Sequence, residues 1–579
     1  MGKTPNQVSA LLLEVDAALQ QGRSAAANRI LQQVIPESCA PDLARGLELW
    51  RGNRPGLAAR CLAEYSNTWP GDILALQVRA HIASQQGAID EAIELFQQCL
   101  ALYPDIMALR PVLARLLMRR QRYAEASVLL DQLLQSEPDQ QDFLLLKAKL
   151  LDRSGQYPAA IELLHKVIAM PPATGLKPDA VKLAANHTTL GIIQRTVGAQ
   201  SASIQSLQTA ISLDPCSGRP WYQLADLKVY KFQPLEIEQI RRGLDEAKPG
   251  SLNEVHFAFA LGRALESQQD LDGAFAAYAR GNRIRAALAP FDMAALEREF
   301  MAIKTLFATP ALKYSVKNPE PDCPAIFVVG MPRSGTTLVD QITTAHSMVD
   351  GTMELPVISA LVRELQQRQI KEGQVPYPAP GTRLTEAELA EMGQQYLQRA
   401  QIQRGTASFF VDKMPINFQH IGLIRKILPG ARIVNVRRNP MALGLSIYQQ
   451  LFSFGQDWAF DLTQIARYYL AYSDLMDYWE SQAPGHIVQV QYEELVISPE
   501  SSIRKLLQQL NLPEDAACFS PHENQRPVRT ASSEQVRQPM HTAAVDYWRN
   551  FEPQLEPLRR ALETAGAIPH YPASYAGLN

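Results

Sequence analysis

Directly after the apolar run Ala325-Ile326-Phe327-Val328-Val329 the chain reads Gly330-Met331-Pro332-Arg333-Ser334-Gly335-Thr336-Thr337. A glycine-bearing turn that leaves a buried strand and opens a helix can hold an anion, because successive backbone N–H groups and the helix dipole point at one spot. A nucleotide-hydrolase loop of the form G-x-x-x-x-G-K-[ST] adds a lysine for the β- and γ-phosphates and a hydroxyl for magnesium. Thr336 stands where that lysine belongs, and the cation sits earlier, as Arg333. The loop is suited to a phosphate rather than to a triphosphate with its metal.

Later apolar runs end in comparable groups. Phe409-Phe410-Val411 leads into Asp412-Lys413-Met414-Pro415, and Ile433-Val434-Asn435-Val436 leads into Arg437-Arg438-Asn439-Pro440, with Ser446 eight residues after Arg438. Val490-Gln491 leads into Tyr492. In open α/β sheets ligands gather beyond the carboxyl ends of the strands, where all these groups would lie. Glu354 follows Arg333 by 21 residues. Alone, such a glutamate reads as a solvated or helix-capping carboxylate; Tyr492 reads equally as a core aromatic and Ser446 as a helix residue bonded to its own backbone.

Together the loop, Glu354, the Lys413 turn, the Arg438/Ser446 pair, the Tyr492 strand end and Ser532-Ser533-Glu534-Gln535-Val536-Arg537-Gln538-Pro539 resemble the sulfotransferases that use 3′-phosphoadenosine-5′-phosphosulfate (PAPS), within them the tyrosylprotein-sulfotransferase-like branch. The resemblance implies that the amides of residues 334 to 337, including Gly335, and the hydroxyls of Ser334, Thr336 and Thr337 hold the 5′-phosphate. Arg438 and Ser446 would hold the 3′-phosphate, and Tyr492 at the late strand end and Ser532, Gln535, Val536 and Arg537 of a cofactor-covering loop would bind the cofactor as well. Arg333 and Lys413 would stabilise charge on the transferring group, and Glu354 would be the general base. Sulfuryl transfer should resemble phosphoryl transfer, with less negative charge on the moving group and so less need of a metal; none is expected. His346 and His420 are then structural.

Three positions depart from the branch. Leu355-Pro356 follows Glu354 where the tyrosylprotein enzymes have an arginine for acidic peptide flanks, Gln450 replaces a basic residue four after the serine, and Tyr547 or Trp548 replaces a late lysine. The acceptor hydroxyl or amine therefore stays open among protein tyrosine, glycan, lipid and small molecule. The arrangement is similar to bacterial-type tetratricopeptide-repeat sulfotransferases. A nucleotide-dependent kinase and a tetratricopeptide scaffold with an inactive transferase domain are the rival readings.

These groups need a platform. Runs at 325–329, 409–411, 432–436 and 486–491 separated by helical stretches predict an α/β domain with a mainly parallel sheet. Ahead of it, prolines at 36, 70, 104, 138 and 172 are 34 residues apart, as are Ser24, Ala58, Ala92, Ala126 and Ala160, and Gly87 and Gly155 mark turns between paired helices. Gly198 and Pro215 restart the frame after an insertion. That period, with a small residue in the second helix and a closing proline, resembles tetratricopeptide repeats. A solenoid over 1–290, a helical connector and proline-rich linker over 291–324 and a sulfotransferase domain over 325–579 are expected. Residues 254 to 312 keep a helical pattern and would end the solenoid or dock it on the enzyme. The repeat groove would take a protein or peptide partner or a second copy in a homodimer, or the array would only stiffen the enzyme.

At 579 residues the chain exceeds one core. Its 46% apolar and 20% charged composition is that of a globular protein, and a net charge of −3 offers no general nucleic-acid-binding face. The six cysteines lack metal-ligand or disulfide-framework spacing. No leader pattern and no apolar run of about 18 residues is present, so a cytoplasmic protein with no membrane span is expected.

Overall fold

The 34-residue period becomes pairs of helices closed by proline. Pro70, Pro104 and Pro138 each lie two positions beyond the helices Pro55–Thr68, Ile89–Leu102 and Tyr123–Ser136, as proline does where its missing N–H forbids a further turn. Ala58, Ala92, Ala126 and Ala160 are fully buried where helices approach. The computed structural model describes residues 4–20, 24–33, 40–171, 179–312, 322–401, 403–453, 455–524, 526–528, 530 and 532–564. Pro36, Pro172, Cys39 and residues 317–321 of the expected linker lie outside them.

Two compact units divide the chain, Met1–Leu176 and Lys177–Asn579. In the first, the helix pairs bury leucine- and alanine-rich faces against their neighbours, with Leu76, Phe96, Leu113, Leu117 and Leu130 in one cluster and Leu12, Leu47, Trp50 and Leu62 in another.

The second unit holds a five-stranded sheet: β1 Ala325–Gly330, β2 Val349–Gly351, β3 Phe409–Lys413, β4 Arg432–Arg437 and β5 Ile487–Gln491. The order is β2-β3-β1-β4-β5 and every pairing is parallel. β1 is buried along its whole length, as a central parallel strand covered on both faces must be. Its alternate residues serve two cores. Ile326 and Val328 pack with Val339, Val434 and Leu506; Phe327 and Val329 belong to a larger cluster that also contains Trp221, Phe257, Phe259 and Phe307.

The helices from Gln200–Leu213 to Met293–Phe307 thus share a core with one face of the sheet. Polar ties add direction: Asn282 Nδ2 donates to the Tyr448 carbonyl at 2.9 Å, and Arg285 meets Asp457 at 2.9 Å. β1 lies between β3 and β4, so the chain turns to opposite sides after it. The crevice that opens at such a switch point is a ligand site, and residues 331–335 occupy it.

Candidate functional site

Glycine is required at two places in the loop after β1. Gly330 has φ +150°, and a Cβ there would lie 2.7 Å from the Val436 carbonyl oxygen; at Gly335, φ +104°, it would lie 2.6 Å from the Tyr492 ring. Gly335 caps the helix Thr336–Thr344, and Arg333 between the glycines is left-handed at φ +70°. Ser334, Thr336 and Thr337 are buried. The Ser334 hydroxyl has no hydrogen-bond partner among the described residues, and that of Thr337 is 3.3 Å from Thr530.

Arg333 gathers groups distant in sequence. Its Nε donates to Ser446 at 3.0 Å, its Nη2 to the Gln535 side chain at 2.9 Å, and its Nη1 to Ser532. Arg438 locks the loop from behind: Nη1 donates to the Arg333 carbonyl at 3.0 Å, Nη2 to that of Ala544 at 2.9 Å, and the guanidinium lies 4.6 Å from the Tyr492 ring centroid. Its Nε is buried without a partner among the described residues. Ser446 lies on the helix Pro440–Tyr448, whose N-cap Asn439 accepts from the amides of Met441 and Ala442. The Asn439 amide in turn donates to buried Glu493 at 2.9 Å.

Arg333, Arg438, Ser446, Ser532 and Gln535 line a cavity of about 340 Å³, together with Thr337, Tyr492 and Val536. Burial, with repulsion from Arg438 and Arg263, pulls the Arg333 guanidinium down to about 10. A cavity so charged, with the orphaned guanidinium nitrogen of Arg438 on one of its lining residues, fits a phosphate-bearing ligand.

A second group sits at the end of β3. Lys413 Nζ is 2.5 Å from Glu354 Oε1, the lysine side chain 5% exposed and the glutamate 43%. The register that sets Val328 against Lys413 places this pair one strand from the loop. Buried Asp412 accepts from Tyr396 Oη at 2.7 Å, and burial pushes its carboxyl up to about 7. Burial likewise raises Asp340, against the charges of Arg526 and Lys413. Arg526, which no motif announced, donates to Thr344 and to the Thr352 carbonyl, both at 2.8 Å, and crosses Gly351, where a Cβ would collide with it.

Arg537 stands apart from its neighbours in the covering loop. Its guanidinium lies against Gly198 and donates to the Thr196 carbonyl at 3.2 Å. His346 is structural: Nδ1 accepts from the Met348 amide, which leaves Nε2 to donate to the Pro513 carbonyl. Burial lowers His420 to about 4.

Sequence reasoning missed the wall built by the preceding helices. Lys228, just after the helix Gly218–Asp226, and Arg263 and Glu266, from the helix Leu252–Ser267, line the same cavity. Lys228 has φ +62°, and no local spacing marks it. Gln450 donates to Tyr222 Oη at 2.9 Å and to Asp226 at 3.2 Å, while Tyr547 Oη donates to Glu266 at 2.7 Å. Where the resemblance expects bases, this chain therefore has neutral groups bonded to the helical wall.

Residues 324–516 match the model of the Sulfotransferase family, and residues 83–150 match that of the Tetratricopeptide repeat. An uncharacterized protein of Aquifex aeolicus (strain VF5) is 31% identical over 348 residues, 59% of this chain and 46% of that protein, so the match spans under half of the relative. Protein-tyrosine sulfotransferase 1 of Danio rerio is 25% identical over 275 residues, 44% of this chain and 74% of the relative. Among solved structures, the sulfotransferase domain of the Synechococcus PCC 7002 olefin synthase is 19% identical with a TM-score of 0.29, covering 44% of this chain and 98% of that one. Among the described residues no helix is long and apolar enough to cross a membrane, and no group of three His, Cys, Asp or Glu side chains could hold a metal ion.

Proposed function

We propose that this chain, which carries a sulfotransferase-family domain over residues 324–516 and tetratricopeptide repeats, transfers a sulfuryl group from PAPS to an acceptor hydroxyl or amine in the cytoplasm, with Glu354 as base. The observation that carries this reading is the joining of three anion-binding segments through Arg333: Ser446 on one side, Ser532 and Gln535 on the other, all around one cavity. When bound, the donor would supply the sulfuryl group, whose bond to the 5′-phosphate breaks as a bond to the acceptor oxygen or nitrogen forms.

The amides and hydroxyls of Ser334 to Thr337 hold the 5′-phosphate at the start of the helix Thr336–Thr344. Arg438 and Ser446 hold the 3′-phosphate, with Tyr492, Ser532, Gln535 and Val536 closing the cavity; Arg537 anchors the covering loop. Glu354 takes the proton that the acceptor loses, its half-exposed carboxylate reachable from solvent while Lys413 fixes its direction. Lys413 and Arg333 stabilise the negative charge that grows on the leaving phosphate oxygen. The repeats are proposed to receive a protein partner, which is the usual work of such surfaces. The free thiols of Cys61, Cys99, Cys216, Cys323 and Cys518 suit a reducing compartment.

Calorimetric titration with adenosine 3′,5′-bisphosphate, without magnesium and with ADP and ATP as controls, tests the donor class. Binding that requires the 3′-phosphate and weakens about tenfold or more in Arg438→Ala supports it. Preference for ATP with magnesium would move a nucleotide-dependent kinase ahead, and binding of none of the three would favour a scaffold.

A further inference from the structure

The cavity has more cations than the transferase motifs supply. Besides Arg333 and Arg438, Lys228 and Arg263 reach it from the helices that precede the sheet, and one carboxylate, Glu266, stands among them. Glu266 is already committed. It pairs with Arg263 Nη1 at 3.0 Å and accepts from Tyr278 at 2.6 Å, Tyr547 at 2.7 Å and Gln449 at 3.2 Å. Its work is to orient Arg263, and the residues that line the cavity carry more cationic than anionic side chains.

Like charges gathered in a region of restricted solvent repel one another strongly. Burial and the charge of Arg333, against the opposing pull of Asp226, hold the Lys228 ammonium well below the ordinary lysine range, and Arg263 is among the groups that depress Arg333. An anion set among these side chains relieves the repulsion and holds all four charged.

The position of Lys228 is also constrained by what surrounds it. Two residues earlier, buried Asp226 pairs with Arg195 at 2.8 Å and accepts from Gln450, and Gln450 lies four residues after Ser446. The turn carrying Lys228 is thereby tied to the same helix end as Ser446. Lys228 adopts a left-handed backbone that is costly for a residue with a Cβ.

We propose that Lys228 and Arg263 are ligands for the 3′-phosphate of the donor nucleotide, so that the helical segment forms one wall of the donor site. This inference rests on the PAPS reading above. It assigns the second half of the phosphate grip to residues outside the sulfotransferase-family match, which begins at residue 324.

The test uses the full chain and three probes: adenosine 3′,5′-bisphosphate, adenosine 5′-monophosphate and adenosine. Lys228→Gln and Arg263→Gln are each expected to weaken the bisphosphate about tenfold or more, the usual worth of a hydrogen bond to a charged group, and to change the monophosphate less than about threefold on the same scale. Lys228→Arg and Arg263→Lys should restore most of the affinity. Thermal melting identifies any variant that has lost its fold, and the charge-conserving pair then carries the comparison with wild type.

Equal loss for bisphosphate and monophosphate, or no loss for either, overturns the 3′-phosphate assignment while leaving the donor reading intact. A wild-type protein that binds neither phosphate overturns the donor reading and this inference with it.

Discussion

Glu354 and Lys413 form a pair of unequal exposure, a carboxylate open to solvent and an ammonium almost wholly enclosed. That asymmetry suits a base that must meet an acceptor and a cation that must not wander. Glu354→Gln is expected to leave adenosine 3′,5′-bisphosphate binding near wild type and to cut sulfuryl transfer by about a hundredfold or more; normal turnover in that variant would remove the residue from the base role. Asp412, beside Lys413, makes a different prediction. Burial raises its folded-state value to about 7, above the value of about 3.9 in an unfolded chain. The folded protein therefore keeps a proton that the unfolded chain releases. The stability this contributes is present below about pH 4 and is lost as pH rises through about 7. Asp412→Asn keeps an acceptor for Tyr396 and removes the titration. Its melting temperature should gain on wild type between about pH 5 and pH 8; a constant difference across that range would refute the assignment.

The repeat helices show which sequence marks matter physically. Asn53, Gly87, Gln121 and Gly155 all adopt positive φ at the turn between paired helices, so the left-handed turn recurs at every 34-residue step whether or not glycine occupies it. Glycine marked two of these turns in the sequence; the other two were invisible because Asn and Gln accept the conformation at a cost repaid by helix packing. The alanines are less forgiving. Ala126 is fully buried beside Leu130 and Leu133, and Ala126→Leu should destabilise the first unit by about 1–3 kcal/mol through overpacking, read as a lowered denaturant midpoint. An unchanged midpoint would mean that the helices there are not closely apposed. In the sheet, β2 escaped notice because three residues are too few to show an alternation.

In the second unit, one cluster of buried side chains runs from Leu207 to Leu562 and includes both helical residues and one face of the sheet. A chain beginning at Lys177 is expected to melt cooperatively and to bind adenosine 3′,5′-bisphosphate as the full chain does. A chain beginning at Asp322, which lacks Trp221, Phe257, Phe259 and Phe307, is expected to lose the cooperative transition in calorimetry; a sharp melt with full affinity in that shorter chain would show the shared core to be dispensable. The loop at 330–337, the strands that carry Lys413 and Arg438, and the repeat period were legible because each is a short contiguous pattern with a local physical cause: glycine where no Cβ fits, an apolar run where a strand is covered on both faces, proline where a helix must stop. The meeting of Arg333 with Ser446, Ser532 and Gln535 was not legible as contacts, nor were Lys228 and Arg263 as cavity walls. Partners separated by seventy positions or more leave no local signature, and only the burial of the helical segment against the sheet brings their charges into one cavity.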